Sequence, residues 1–218
     1  MTPDSIVFDL DGTLWDSCPA CAVAWNHVLA RNGITFREIT TPDVQAVAGR
    51  PHEDAIREAF DGLPEHHIQT LITETSEEDL RFIRDLGGVL YDGVEAGLER
   101  LADRFLLFIV SNCQAGYIEM FLDETGLGRT IRDFECWGNT KRPKGDNLRG
   151  LVARNGLVRP VMIGDAEGDR QAAQSCGIPF IHVTYGYFDL AGDHRRFDSF
   201  PALTEHFLSG AETSSTAP

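Results

Sequence analysis

The stretch Ile6-Val7-Phe8-Asp9-Leu10-Asp11-Gly12-Thr13-Leu14 constrains this chain more than any other. Three apolar residues run into two acids, a glycine and a hydroxyl. A short apolar run closed by a turn signal reads as a buried strand. Side chains two apart on extended chain share a face. Asp9 and Asp11 are therefore expected together at the carboxyl end of that strand, where open α/β sheets bind ligands. Two carboxylates this close repel, so one is protonated or both face a cation. Hard oxygen ligands suit Mg²⁺. Gly12 allows the tight bend, and Thr13 offers a hydroxyl and an N–H to an anion. The plainer reading is an acidic strand-end turn, and the rest of the chain decides between the two.

Behind this strand the pattern turns helical. Ser17 or Cys18 can cap a helix that Pro19 begins and Asn32-Gly33 ends. Thr41-Pro42 opens a short second helix that stops at Gly49, and a third runs from about Pro51 to Phe60. Ile68, Leu71, Ile72, Thr75, Phe82, Ile83 and Leu86 form the stripe of a fourth helix, closed by Gly87-Gly88. After this segment, strands at 106–110, 134–137, 160–163 and 180–183 alternate with helices at 92–104, 117–126, 146–155 and 167–176. Such alternation implies a parallel sheet covered on both faces. A last helix is expected at 202–208. The expected fold is α/β: a Rossmann-like doubly wound parallel sheet core from residues 1–15 and 88–210, with an inserted all-helical cap at 16–87 and a disordered tail at 211–218. Both ends of the insert join the core and must lie close together. A helical block hinged beside a strand-end site is a natural lid.

The charge of −15 over 218 residues argues against nucleic acid and anionic membrane surfaces as partners. No apolar run approaches the roughly 18 residues of a membrane span. The N-terminus lacks a basic, then apolar, leader, so a cytoplasmic protein is expected. An anionic substrate could bind so acidic a chain only at a local positive focus: a metal, a lysine, an arginine or helix N-termini. The five cysteines are odd in number and scattered, which favours reduced thiols. Cys18-Pro-Ala-Cys21 has C-x-x-C spacing but neither a thioredoxin-like context nor a second ligand pair.

Four pieces fall at carboxyl ends of expected strands. They are Asp9 with Asp11, then Ser111-Asn112, then Lys144, and finally Gly164-Asp165 with Asp169. Each has a plain explanation as a turn, a solvated loop or a helix cap. Together they assemble two acids, a hydroxyl, a lysine and two more acids at one sheet edge. In this order and spacing they resemble the four motifs of the haloacid dehalogenase-like hydrolase superfamily, over residues 5 to about 186. The helical insert after the first motif is similar to its small-cap subgroup, that of phosphoglycolate phosphatase and β-phosphoglucomutase.

The resemblance implies roles. Asp9 would attack phosphorus to form an aspartyl-phosphate, and Asp11 would protonate the leaving oxygen and later activate water. Mg²⁺ would lie between the Asp9 carboxylate, the Asp11 main-chain carbonyl and the Asp165 carboxylate, with Asp169 orienting that sphere. Thr13, Ser111, Asn112 and Lys144 would hold the phosphoryl oxygens. Lys141 and Lys144 share the loop; Lys144 is preferred because it leads directly into the helix. Asp11 argues for phosphate rather than halide chemistry, since a departing halide needs no proton. Arg50, between two cap helices, is either a contact to a second polar group of the substrate or an exposed loop arginine. The expected activity is a Mg²⁺-dependent phosphatase for a small phosphorylated metabolite, as a monomer or homodimer. A phosphomutase, a non-enzymatic phospho-acceptor switch and a catalytically silent binding protein are the alternatives.

Overall fold

The structure is a computed structural model that describes residues 3–212. In chain order, β1 (Ser5–Phe8) and the two-residue β2 (Trp15–Asp16) precede α1 (Cys18–Arg31), α2 (Thr41–Val47), α3 (His52–Ala59), α4 (Glu65–Leu86) and β3 (Val89–Leu90). Then follow α5 (Val94–Ala102), β4 (Leu106–Ser111), α6 (Tyr117–Thr125), β5 (Ile131–Cys136), α7 (Trp137–Thr140) and α8 (Lys144–Asn155). The chain continues through β6 (Pro160–Gly164), α9 (Glu167–Cys176), β7 (Phe180–Val183), β8 (Arg195–Phe197) and α10 (Phe200–Glu212).

Six strands form one parallel sheet in the order β5-β4-β1-β6-β7-β8. Strand β1 is central, with β4 on one edge and β6 on the other. Its Ile6, Val7 and Phe8 are all fully buried, each contributing about 1.5–3 kcal/mol by leaving water. Ile6 and Phe8 face one layer of the core. Val7 faces the other, with Phe108, Met162, Leu148 and Leu151 under α8 and α9. The chain winds outward from β1 in both directions, so the carboxyl ends of β1, β4 and β6 meet at the switch point where open α/β sheets form their crevice. The α/β, doubly wound fold expected from the sequence is the one observed.

Helices α1 to α4 form the insert between β1 and β4. Their registers follow the apolar stripe: Ile68, Leu71, Thr75, Asp79 and Ile83 are the buried positions of α4. No helix of the described residues is long and apolar enough to cross a membrane.

Several expectations need correction. The sequence pattern gives no strand at 16–87, yet Trp15–Asp16 pairs antiparallel with Val89–Leu90; two-residue strands carry no periodicity to read. Edge strand β8, with sequence Arg-Arg-Phe, also lacks an apolar pattern. Helix α8 begins at Lys144, two residues before the expected start, because Pro143 can precede a first turn without donating an N–H. Helix α10 extends through Glu212, past the expected stop at Leu208. Of the expected disordered tail, residues 213–218 lie outside the described residues. Ser17 precedes α1 but makes no side-chain cap; its hydroxyl is used elsewhere, as shown below.

Candidate active site

The turn after β1 sets the site. Strand β1 ends at Phe8, with Asp9 directly behind it as expected, and Asp11 bridges to Trp15 around the turn at 12–14. Asp9 N donates to Ile163 O of β6 at 2.8 Å. Leu10 O then accepts from the N–H groups of Thr13 and Leu14 at 3.2 and 2.8 Å, curling the chain tightly. Gly12 has φ +78°, and a Cβ there would lie 2.4 Å from Asp165 Oδ2. Only glycine tolerates both the left-handed backbone and that approach. Gly186 presses on the same carboxylate from the other side, and Tyr187 N donates to Asp165 Oδ2 at 2.7 Å.

Asp9, Asp165 and Asp169 are each about 1% exposed, and one oxygen from each falls within a 4.8 Å cluster. Lys144, on the first turn of α8, is buried among them, with Nζ 2.6 Å from Asp9 Oδ1 and 2.5 Å from Asp169 Oδ1. Asp169 Oδ2 accepts from Ala166 N at 3.0 Å, closing the first turn of α9. Lys141 is exposed, with its ammonium 3.8 Å from the centre of the Trp137 ring. The structure thus brings Lys144, and not Lys141, to the acids.

Burial is the largest influence on these groups. It pushes the Asp9 carboxyl well above the usual range, with Asp169 adding to the rise and Lys144 opposing it. Asp165 is pushed up to about 7, again by burial first and then by Asp169. Burial alone would lower the Lys144 ammonium; Asp169 and Asp9 overcome this and hold it above the ordinary lysine range. Three buried carboxylates against one ammonium leave the cluster short of positive charge. Asp9 Oδ2 is buried with no hydrogen-bond partner. An all-oxygen donor set with an orphaned carboxylate oxygen suits a hard divalent cation.

Asp11 sits apart from this cluster, on the wall of the cleft that Asp9 also lines. Its Oδ1 accepts from Tyr117 Oη at 2.6 Å and from Ser17 Oγ at 3.2 Å. Burial pushes the Asp11 carboxyl up to about 6, and these two hydrogen bonds restrain the rise. Sequence reasoning missed Tyr117, which lies 106 positions from Asp11; no local signal links them.

Ser111 and Asn112, at the end of β4, also line the cleft. Asn112 Nδ2 donates to Gly49 O at 2.8 Å, tying the sheet edge to the loop between α2 and α3. Thr13 is fully buried, with its hydroxyl unpartnered. Arg50 stands at the cleft rim, about half exposed, and pairs with Glu58. Cys18 and Cys21 are buried free thiols on the same wall. The cleft between the sheet edge and the helices has a volume of about 80 Å³.

Residues 6–183 match the haloacid dehalogenase-like hydrolase family. The chain belongs to this family. A phosphoglycolate phosphatase of Colwellia psychrerythraea is 33% identical over 217 residues, covering 91% of this chain and 94% of that protein. One from Agrobacterium fabrum is 28% identical over 218 residues, covering 91% and 89%. Among solved structures, a predicted phosphoglycolate phosphatase from Haemophilus somnus superposes with a TM-score of 0.83 at 22% identity, over 94% of this chain and 98% of that one. A predicted phosphatase from Clostridium acetobutylicum gives a TM-score of 0.79 at 22% identity, over 96% and 100%. At such identities the structures establish the fold. As a haloacid dehalogenase-like hydrolase, the chain presents its acids, hydroxyl and lysine at the switch point of the sheet.

Proposed function

We propose that this hydrolase is a Mg²⁺-dependent phosphatase that cleaves a small phosphomonoester through an aspartyl-phosphate at Asp9. The observation that carries the reading is Asp9 itself: a buried carboxylate with one oxygen on Lys144 and the other free of any partner. The family, and relatives named for phosphoglycolate, support phosphomonoester hydrolysis as the coarse activity. A second acid, Asp11, on the same cleft wall supports turnover over a static phospho-acceptor.

Asp9 attacks phosphorus as the ester P–O bond breaks, and the leaving oxygen takes the Asp11 proton. Asp11, now ionised, takes a proton from water as that water attacks the acyl phosphate, releasing phosphate and restoring Asp9. Lys144, Thr13, Ser111 and Asn112 hold the phosphoryl oxygens while charge spreads over them. Mg²⁺ would be held by the carboxylates of Asp9 and Asp165 and the Asp11 main-chain carbonyl, with Asp169 beside them fixing Lys144. When bound, it supplies the positive charge that the cluster lacks against the phosphoryl oxygens. Helices α1 to α4 serve as a cap over the sheet edge, with Arg50 at its mouth rather than on phosphorus. Five free thiols suit a reducing, cytoplasmic setting.

Phosphate release from a panel of small phosphomonoesters, with and without Mg²⁺, tests the reading. Metal-dependent release is expected. Interconversion of sugar-phosphate isomers with little release would make the protein a mutase, and a stable aspartyl-phosphate without turnover would make it a switch.

The Tyr117 hydrogen bond gives a finer test. Tyr117 Oη donates to the ionised form of Asp11, which lowers its pKa. In Tyr117→Phe that support is lost and the Asp11 pKa rises. Cleavage needs protonated Asp11, so activity falls as pH climbs through this pKa. The high-pH limb of kcat/KM is therefore expected to move upward in the variant. A limb that stays in place, or moves down, would detach Asp11 from proton delivery.

A further inference from the structure

The side-chain donors on the cleft wall are nearly all spent within the protein. Trp25 Nε1 donates to Asp79 Oδ1 at 3.0 Å, and the hydroxyls of Tyr117 and Ser17 reach Asp11. Asn112 Nδ2 goes to Gly49 O, and Arg50 to Glu58 at the rim. Gln114 differs. It lines the same cleft, and its Nε2 is buried with no hydrogen-bond partner. An amide nitrogen carries two N–H groups, and burying them unpaired costs free energy until an acceptor arrives. Turning the amide over would not relieve this. Asn112 Oδ1 on this cleft is also buried without a partner, so a flipped Gln114 would give the cleft a second bare acceptor.

The main chain around Gln114 is fixed. Cys113 O accepts from Gly138 N at 2.9 Å. Gln114 O accepts from Tyr117 N at 3.4 Å and meets the Cys136 thiol at 3.7 Å. Gly138 of α7 lies against the same turn: a Cβ there would stand 2.0 Å from Ala115 N and 2.3 Å from the Gln114 carbonyl carbon. Only a residue without a side chain lets α7 approach so closely. Gln114 is thus carried on a rigid support, three residues beyond Ser111 at the end of β4. A donor held in place by its support but left unpaired is set up for a ligand.

We propose that Gln114 is a substrate-contact residue whose amide donates to an oxygen acceptor on the leaving group, next to the phosphoryl group that Ser111 holds. Resting on the phosphatase reading above, this narrows the substrate class to esters whose leaving group carries a carboxylate, carbonyl or hydroxyl oxygen. A plain alkyl phosphate leaves the amide unpaired, and that mismatch supplies the discrimination.

Three two-carbon esters share the phosphoryl group and differ only at the far carbon: ethyl phosphate, 2-hydroxyethyl phosphate and 2-phosphoglycolate. In the wild-type protein, kcat/KM for the better of the two oxygen-bearing esters is expected to exceed that for ethyl phosphate by at least about tenfold. Gln114→Met keeps the length of the side chain and removes both N–H groups; this ratio is expected to fall about tenfold. Gln114→Glu replaces the donor by a charged acceptor. A hydroxyl can still donate to it and a carboxylate cannot, so turnover of phosphoglycolate relative to the hydroxyethyl ester is expected to fall at least about tenfold. A wild type that favours neither oxygen-bearing ester over ethyl phosphate overturns the proposal, whether or not the variants fold. So does a variant that changes all three esters by one common factor, which marks a structural role. Calorimetric titration of the esters, with Mg²⁺, into Asp9→Asn protein and into Asp9→Asn combined with Gln114→Met separates the two levels. If the wild type hydrolyses none of them, the phosphatase reading fails, while a preference for oxygen-bearing esters that Gln114→Met removes still supports the contact. Titrations in which the far oxygen makes no difference overturn it.

Discussion

Asp9→Asn is expected to abolish phosphate release, by at least about 10³-fold in kcat, while the protein stays folded. Losing a covalent nucleophile removes the step that divides one difficult displacement into two easier ones, and such losses are among the largest in enzymology. No other carboxylate stands ready to substitute. Asp165 is wedged by Gly12 and Gly186 and accepts from Tyr187 N; Asp169 has one oxygen on Lys144 and the other on Ala166 N. The substitution is nearly isosteric and removes one of three clustered negative charges. The melting temperature without metal should therefore hold or rise, whereas the rise caused by Mg²⁺ should shrink, because a ligand has been weakened. Phosphate assays and thermal melts on the same preparation check both halves. Substantial remaining turnover would remove Asp9 from the role assigned to it.

Lys144→Met carries the second large effect, and it acts on rate and stability together. The ammonium is buried against Asp9 and Asp169. Methionine matches its length but leaves both carboxylates without their counter-charge. Removing one partner of a buried ion pair typically costs about 3–5 kcal/mol. For a chain of this size, a loss of that order lowers Tm by roughly 6–20 °C. Loss of a donor to the transition state is typically worth another factor of about 10²–10³ in kcat. Saturating Mg²⁺ should return part of the lost Tm, since a cation is what the uncompensated acids then lack. It should not return the rate. Differential scanning calorimetry with and without Mg²⁺, beside steady-state kinetics, reads both effects. A variant as stable and active as the parent would mean that Lys144 neither balances the acids nor holds a phosphoryl oxygen.

Much of this was legible in the residues. The turn residues and apolar stripes placed α4 and α9 at their observed bounds, because Gly87 and Gly177 stop helices where their stripes end. The net charge of −15 calls for a positive focus for any anionic substrate, and one buried lysine against three carboxylates is not enough to supply it alone. Other features left weaker traces. Asp79 lies in the run Glu77-Glu78-Asp79, which reads as a solvated face. Yet it falls four residues after Thr75 and four before Ile83, on the buried stripe. The spacing told which of the three acids turns inward, but polarity masked it. The Tyr117–Asp11 bond had no such trace, because it joins separate elements across the whole sheet edge. The short strands β2, β3 and β8 were invisible for a different reason: each is two or three residues long, defined by its partner rather than by its own pattern.

The β2–β3 pairing limits how the molecule can move. The chain passes between the sheet and helices α1–α4 twice, and the two passages run side by side as this ribbon. Gly88 is seated on the Trp15 indole, where a Cβ would lie 2.5 Å from the ring. Sliding or twisting the helices away from the sheet would therefore break this pairing. A second tie, from Asn112 Nδ2 to Gly49 O, joins the same helices to the sheet edge.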